Sequence, residues 1–260
     1  MTSTPFLPTP SWLDPQSEIV DPDQPPAFQR LNDVDKAITF ILNSLKGILA
    51  ATTSISFALA IEVIANSVGE TGWGKSHRGR NFGGWKINKS DVDRAKASGG
   101  KCPPWWKALG HVLSGDAPVV YYRGFPSVDR FYVEWIERFV PRNAAPTHRY
   151  YKTGRVFWGV EQGDWFRELC LAGYKGPVTE ANPDNSVRNH KTIAQGVKTR
   201  LAQKFLGVTP DGVWGSKSRE ACLKFQAGRG ISATGECDLA TLELLIKDWK
   251  SAGMPLPVAL

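Results

Sequence analysis

The sequence predicts a mainly α protein with a small β or irregular lobe and a three-helix C-terminal module. Apolar residues recur at helical spacing in several segments. A segment rich in glycine, proline and aromatic residues, 79–126, interrupts these segments. Near the C-terminus a glycine-containing turn followed by a helix occurs twice, which indicates an internal repeat.

Two amphipathic helices are predicted first. One follows Asp33 or Asp35, either of which can cap it. The other runs from about Ser56 to Gly69, because Gly69 and Gly72 break the helical pattern. The apolar stripes that predict them are Ile38, Ile41, Leu42, Leu45 and Ile48, and then Phe57, Ile61, Ile64 and Val68.

The segment 79–126 predicts a small lobe with a hairpin that includes the strand-like Val119–Tyr122. Helical patterns return at Ser127–Phe139, where Ser127 is a good cap, and at Asp164–Ala172, which ends at Gly173.

The chain divides at two segments that lack helical periodicity. Residues 1–26 contain seven prolines and predict an extended leader. Residues 175–191 have almost no large apolar residue and predict an interdomain linker. We therefore expect a leader at 1–26, a first domain at 27–176, a linker at 177–190 and a second domain at 191–250.

The second domain contains the repeat. Gly207–Ser218 aligns with Gly230–Thr241, and each unit leads into a helix, predicted at 218–225 and 241–246. A preceding helix at Ile193–Phe205 completes a three-helix module.

The basic charge is compatible with nucleic acid, an anionic membrane or an anionic polymer such as cell wall as a partner. The net charge is +7, but the chain has no run of five or more Lys or Arg, so we expect no nucleic acid partner. The sequence has no stretch of 18 apolar residues, so we expect no membrane span. The first residues lack a basic and then apolar segment, so we expect synthesis in the cytoplasm without a Sec signal.

Histidine and cysteine spacing predicts neither a metal site nor a cofactor. The four histidines are scattered, and the four cysteines form no Cys-x-x-Cys pair. Cys222 and Cys237 would be able to pair in an oxidising compartment, whereas in a reducing cytoplasm the thiols are expected to stay reduced.

Glu70 is the candidate catalytic acid. It lies about 200° around the helix from Val68, if that helix continues so far, and so points away from the packed stripe. Glycoside hydrolysis needs a carboxylic acid among apolar neighbours, close to the leaving oxygen. Trp73, Phe82 and Trp85 are near enough in sequence to supply them.

Four segments around Glu70 resemble family 73 of the glycoside hydrolases, the flagellar- and autolysin-type N-acetylglucosaminidases. They are Glu70-Thr-Gly-Trp-Gly-Lys75, Asn81-Phe-Gly-Gly-Trp-Lys-Ile87, Tyr122-Arg-Gly-Phe-Pro-Ser-Val-Asp129, and Phe166 to Gly173-Tyr174. The resemblance covers about 35–176 and implies a lysozyme-like, mainly helical fold.

The resemblance assigns Glu70 as general acid and Tyr174 to the active site, although a buried tyrosine at a helix end explains Tyr174 equally well. The candidate substrate-binding residues are Trp73, Asn81, Phe82, Trp85, Lys86 and Tyr122. The family often has a second Glu in the lobe, and this chain has none between Glu70 and Glu134. Asp116 is the nearest carboxylate to the expected place.

Three mechanisms stay open. Asp116 could orient a water for inversion, which needs carboxyl groups about 6.5–9.5 Å apart. The substrate N-acetyl group could supply the nucleophile. Alternatively, Glu70 could act alone as acid and then base, as in lytic transglycosylases.

The C-terminal module resembles the peptidoglycan-binding repeat domain of bacterial and phage hydrolases. The resemblance covers about 190–250 and rests on Leu206-Gly-Val-x-Pro-Asp-Gly-Val-Trp-Gly215, Ala221-x-x-x-Phe225-Gln226 and Gly230-Ile231. The second turn departs from the usual Asp-Gly-x-Ile-Gly, because Thr234-Gly-Glu-Cys-Asp238 stands there.

Together these features predict a monomeric N-acetylglucosaminidase, tethered to peptidoglycan by its module and acting in the periplasm or cell wall after release or delivery. A muramidase or a lytic transglycosylase is the enzymatic alternative, and a non-catalytic wall-binding protein is the other. Biologically, a phage endolysin and an interbacterial toxin with a cognate immunity protein both fit.

Overall fold

The computed structural model describes residues 31–52, 54–74, 82–83, 86–87, 107–108, 120–122, 125, 127–174 and 182–255. Eight helices and three short strands lie in these ranges, which confirms the mainly α prediction. The helices are α1 Asp33–Ala51, α2 Phe57–Thr71, α3 Val128–Phe139, α4 Tyr151–Phe157, α5 Trp165–Leu171, α6 Asn182–Phe205, α7 Ser216–Gly228 and α8 Leu239–Ser251. The strands are β1 Lys86–Ile87, β2 Lys107–Ala108 and β3 Val120–Tyr122. None of the helices in the described ranges is long and apolar enough to cross a membrane.

Helix α1 begins at Asp33, before the position at which either predicted cap, Asp33 or Asp35, would start it. The side chain of Asn32 accepts a hydrogen bond from the backbone N–H of Asp35 at 2.9 Å, so Asn32 is the cap. Asp33 and Asp35 instead lie in the first turn, where their charges favour the positive end of the helix dipole. The predicted apolar stripe of α1 is fully buried.

Helix α2 begins close to the predicted start at Ser56 but ends later than Gly69. Ser56 accepts from the N–H of Leu59, and the helix continues to Thr71 before Gly72 ends it in a left-handed conformation, φ +56°. Gly69 stays helical, facing Ile193 of α6. Because the helix extends past Glu70, helical geometry points its side chain away from the packed stripe.

The strands form a small antiparallel sheet in the order β1-β3-β2. Lys86 pairs with Tyr122 and Ile87 with Tyr121, while Lys107 pairs with Tyr121 on the other side of β3. The strand predicted at Val119–Tyr122 is thus central, and a third strand joins the expected hairpin.

Helices α3 and α5 match their predicted bounds. Ser127 accepts from the N–H of Arg130, and Asp164 accepts from the N–H groups of Phe166 and Arg167. Helix α4 was not predicted, because Gly154 interrupts its pattern. A side chain at Gly154 would collide with the carbonyl of Pro141, so close packing explains the glycine.

The predicted linker at 177–190 is helical from residue 182 onwards, because α6 begins there and runs without a break to Phe205. His190 is buried, and its Nε2 atom lies 2.7 Å from a carboxylate oxygen of Glu62 on α2. Its ring stacks on Phe166 of α5 at 3.8 Å. Polar residues in this segment therefore belong to a packed helix, and the domain bounds themselves stay predictions.

Helix α6 joins the two halves of the molecule into one hydrophobic core. Its buried residues Ala194, Val197 and Leu201 belong to the same cluster as the stripes of α1 and α2. Leu242 and Ile246 of α8 belong to that cluster too. The C-terminal module therefore packs against the first domain through one shared hydrophobic core.

Candidate active site and wall-binding module

The hydroxyl of Tyr174 is the centre of the candidate active site. Gly173, φ +80°, turns the chain after α5, and the N–H of Tyr174 closes the turn on the carbonyl of Leu169. The Asn66 side-chain amide donates to the Tyr174 hydroxyl at 3.0 Å, and the Trp135 indole N–H donates to it at 3.4 Å. Both donors are buried, which fixes the phenol between α2 and α3.

Glu70 is brought to the same place. It follows Asn66 by one helical turn on α2, so both side chains lie on neighbouring parts of one face. Burial raises the pKa of the Tyr174 hydroxyl, and the negative charge of Glu70 raises it further. The phenol therefore stays protonated and keeps a hydrogen to donate.

Aromatic rings of α3 pack against the Tyr174 ring. Phe139 and Trp135 meet the Tyr174 ring edge to face, with centroids at 4.8 and 6.3 Å. The sequence did not reveal Asn66, Trp135 or Phe139 as neighbours of Tyr174. Their only signal was position, on the inward faces of helices that precede or follow the Glu70 motif.

Trp73 was predicted to bind substrate, and the structure places its ring against α6. A Cβ atom at Gly196 would lie 2.8 Å from Cη2 of Trp73, and the guanidinium of Arg200 lies 4.8 Å from the ring centroid. The half-buried indole therefore packs between domains.

Phe82 was predicted to bind substrate, whereas the structure places its side chain in the core. The side chain is fully buried, with no surface left for a substrate. It meets Phe40 and Phe131 edge to face at 4.9 and 5.2 Å, in the core between α1 and α3. Phe82 therefore anchors the lobe to the helices.

The remaining candidates lie wholly or partly outside the described residues. Asp116, Asn81 and Trp85 are outside them, so their predicted roles stay predictions. Lys86 and Tyr122 are described at the backbone, where they are cross-strand partners on β1 and β3. That register places the two candidates side by side.

No group of three metal-ligating side chains occurs in the described part of the chain. Cys222 and Cys237 both carry free thiols. Burial raises the pKa of Cys237 to about 12, and the nearby Cys222 thiol adds to the shift.

In the C-terminal module a buried glutamine organises the first turn. The amide of Gln203 donates to the Asp211 carboxylate and to the Val213 carbonyl, both at 2.8 Å, and to Ser218. Its carbonyl accepts from the N–H of Gly212 at 2.9 Å. The side chain thus fixes the turn onto α6.

The second turn repeats this arrangement 23 residues later, with Gln226 in the place of Gln203. Its amide donates to Thr234, to the Glu236 carbonyl and to Thr241, and its carbonyl accepts from the N–H of Gly235 at 2.9 Å. The Thr234 hydroxyl takes the place of the Asp211 carboxylate. The departure seen in the second turn is therefore accommodated by an equivalent hydrogen bond.

These two turns lie within a region that is similar to a known family. Residues 195–245 match the peptidoglycan binding domain family. The match confirms the C-terminal module and supports peptidoglycan as a partner of this chain. Neither the curated proteins nor the solved structures that were searched contain a match to the chain.

Proposed function

We propose that this protein is a peptidoglycan hydrolase of the N-acetylglucosaminidase type, with Glu70 as its general acid. The observation that carries the proposal is the position of Glu70 one helical turn after Asn66, whose side-chain amide donates to the buried Tyr174 hydroxyl. The peptidoglycan binding domain supports the substrate class, because it keeps the enzyme at its insoluble polymer. The lysozyme-like fold and the role of Glu70 rest on the motif resemblance.

In the proposed reaction Glu70 donates a proton to the oxygen that leaves as the glycosidic bond breaks. The Tyr174 hydroxyl assists it as a second hydrogen-bond donor. Asn66 and Trp135 both donate to the phenol oxygen, so the hydroxyl hydrogen points away from them, towards the carboxylate or the substrate. The aromatic rings of α3 keep water from the phenol.

The group that completes the reaction is Asp116, the substrate N-acetyl group or Glu70 itself acting as base. These correspond to inversion, to substrate-assisted hydrolysis and to formation of an anhydro sugar. A muramidase or lytic transglycosylase would use the same acid, and a wall-binding protein without activity would use only the module.

The masses of the products released from purified peptidoglycan distinguish these functions. We expect fragments with N-acetylglucosamine at the reducing end. Reducing-end N-acetylmuramic acid would instead assign a muramidase, anhydro-muramic acid a transglycosylase, and no release a binding protein. Either biological role, endolysin or interbacterial toxin with an immunity protein, is compatible with each enzymatic outcome.

A further inference from the structure

The Gly72-Trp73-Gly74 turn that follows Glu70 has an unusual backbone. All three residues adopt left-handed conformations, with φ of +56°, +63° and +80°. Glycine accepts this at no cost, but a bulky residue such as tryptophan does not. Strain of this kind persists only where surrounding structure holds it, and it often accompanies a functional site.

Local hydrogen bonds hold part of the turn. The N–H of Trp73 donates to the carbonyl of Val68, and the N–H of Gly74 donates to the Thr71 hydroxyl at 3.0 Å. These bonds fix the backbone but leave the Trp73 ring to be placed by something else.

Helix α6 places that ring. Gly196 and Arg200 are one turn apart on α6, so the same face of this helix meets the indole at both positions. At Gly196 there is no room for a side chain, since its Cβ would approach Cη2 of Trp73 to 2.8 Å. Arg200 covers the ring with its guanidinium at 4.8 Å from the centroid.

Arg200, which belongs to the peptidoglycan-binding module, also contacts the first turn of that module. Its Nη1 donates to the carbonyl of Pro210 in the first turn, and a Cβ at Gly212 would lie 3.0 Å from its Cζ. One side chain thus touches the turn after the candidate acid and the turn that Gln203 organises.

We propose that the peptidoglycan-binding module positions the catalytic turn, with Gly196 and Arg200 as positioning residues that hold Trp73 and, through it, the end of α2 that carries Glu70. The proposal rests on the proposed catalytic role of Glu70. It assigns the module a second task besides retention at the wall. Binding and cleavage are then coupled through one helix.

The test uses the full chain and two kinds of substrate. Gly196→Ala and Arg200→Ala are assayed on soluble peptidoglycan fragments, where retention at the wall does not matter, and co-sedimentation with sacculi measures wall binding. Displacement of the turn lowers kcat by roughly tenfold to a hundredfold, while wall binding changes less than about twofold. Arg142→Ala is the matched control, because it removes an arginine at 4.7 Å from the Trp158 ring within the first domain.

A second variant guards against simple misfolding. Trp73→Phe removes the indole atoms that a side chain at position 196 would meet, so Gly196→Ala should cost much less activity in that background. Urea unfolding should show the same non-additivity, and Gly228→Ala reports what a helical Gly-to-Ala change does to unfolding where nothing lies within 4 Å.

The outcomes separate the two proposals. Additive effects of Gly196→Ala and Trp73→Phe, or an unchanged kcat in Arg200→Ala, would overturn the positioning role while Glu70 catalysis stands. Loss of wall binding in parallel with kcat would overturn it as well, since the variants would then have damaged the fold as a whole. A wild-type chain that cleaves nothing contradicts the proposed function and the positioning role with it, whereas the unfolding cycle still measures the contact.

Discussion

Replacing Tyr174 with phenylalanine should destabilise the fold and impair catalysis separately. The ring keeps its edge-to-face contacts with Phe139 and Trp135, but the hydroxyl that accepts from Asn66 and Trp135 is lost. Asn66 and Trp135 are only 2% and 1% exposed, so water does not replace the missing acceptor. The cost therefore comes from two stranded donors.

Its size follows from the two bonds. An unsatisfied buried donor costs about 1–3 kcal/mol, and the bond from Trp135, at 3.4 Å, is the weaker of the two. We expect the free energy of unfolding to fall by about 2–3 kcal/mol. Urea unfolding followed by circular dichroism at 222 nm measures it.

A double-mutant cycle tests the cause. Asn66→Leu removes the donor and Tyr174→Phe removes its acceptor. The double variant leaves neither partner unpaired, so it should cost about 1 kcal/mol less than the sum of the single changes. Under conditions where Tyr174→Phe is fully folded, the rate of glycan cleavage should still fall on the order of tenfold. Stability within about 0.5 kcal/mol of wild type, or full additivity, would refute the role given to the hydroxyl.

Three further predictions concern the module, the catalytic turn and pH. Gln226→Leu should lower the free energy of unfolding by about 2–4 kcal/mol, because the polar groups it bonds in the second turn lose their partner. Gln203→Leu should cost the same within about 1 kcal/mol. Unequal urea midpoints would contradict the equivalence of the two turns. Gly74→Ala should cost about 2–4 kcal/mol, because φ is +80° and its Cβ would lie 2.7 Å from Phe40; a thermal shift below about 2 °C would contradict this. Burial acts to raise the pKa of Asp164, but hydrogen bonds from the amides after it and from Lys191 hold that pKa below its usual range. Its ionised form therefore stabilises the fold above the unfolded pKa near 4. At pH 6 the free energy of unfolding of wild type should exceed that of Asp164→Asn by up to about 1 kcal/mol. This difference should vanish as the pH falls further below 4. A difference that is the same at pH 2 and pH 6 would show that the charge is not the cause.

Helices whose ends carry local signals were predictable from sequence. Ser127 and Asp164 begin α3 and α5 as expected, because their side chains bond amides two or three residues away. Helix α4 and the first turns of α6 carry no such signal. They are helical because Gly154 and His190 fit closely against residues distant in sequence, and periodicity does not encode that.

The sequence proposed Glu70 as the acid, but it predicted the contacts around that site only in part. Motif resemblance assigned Glu70 and Tyr174 to one site, and the negative charge of Glu70 acts on the buried Tyr174 hydroxyl. Proximity in sequence suggested Trp73 and Phe82 as substrate contacts, whereas the fold uses one to join α6 and the other to fill the core. Large aromatic side chains near a catalytic residue are as often needed for packing as for binding.

Digestion of purified peptidoglycan by Glu70→Gln tests the central claim most directly. Glutamine keeps the size of the side chain but has no acidic proton, and Glu137→Gln, an exposed position on α3, is the matched control. We expect Glu70→Gln to release glycan fragments at least about a hundredfold more slowly than wild type, with unchanged co-sedimentation with sacculi and unchanged activity in Glu137→Gln. Full activity in Glu70→Gln would contradict the account.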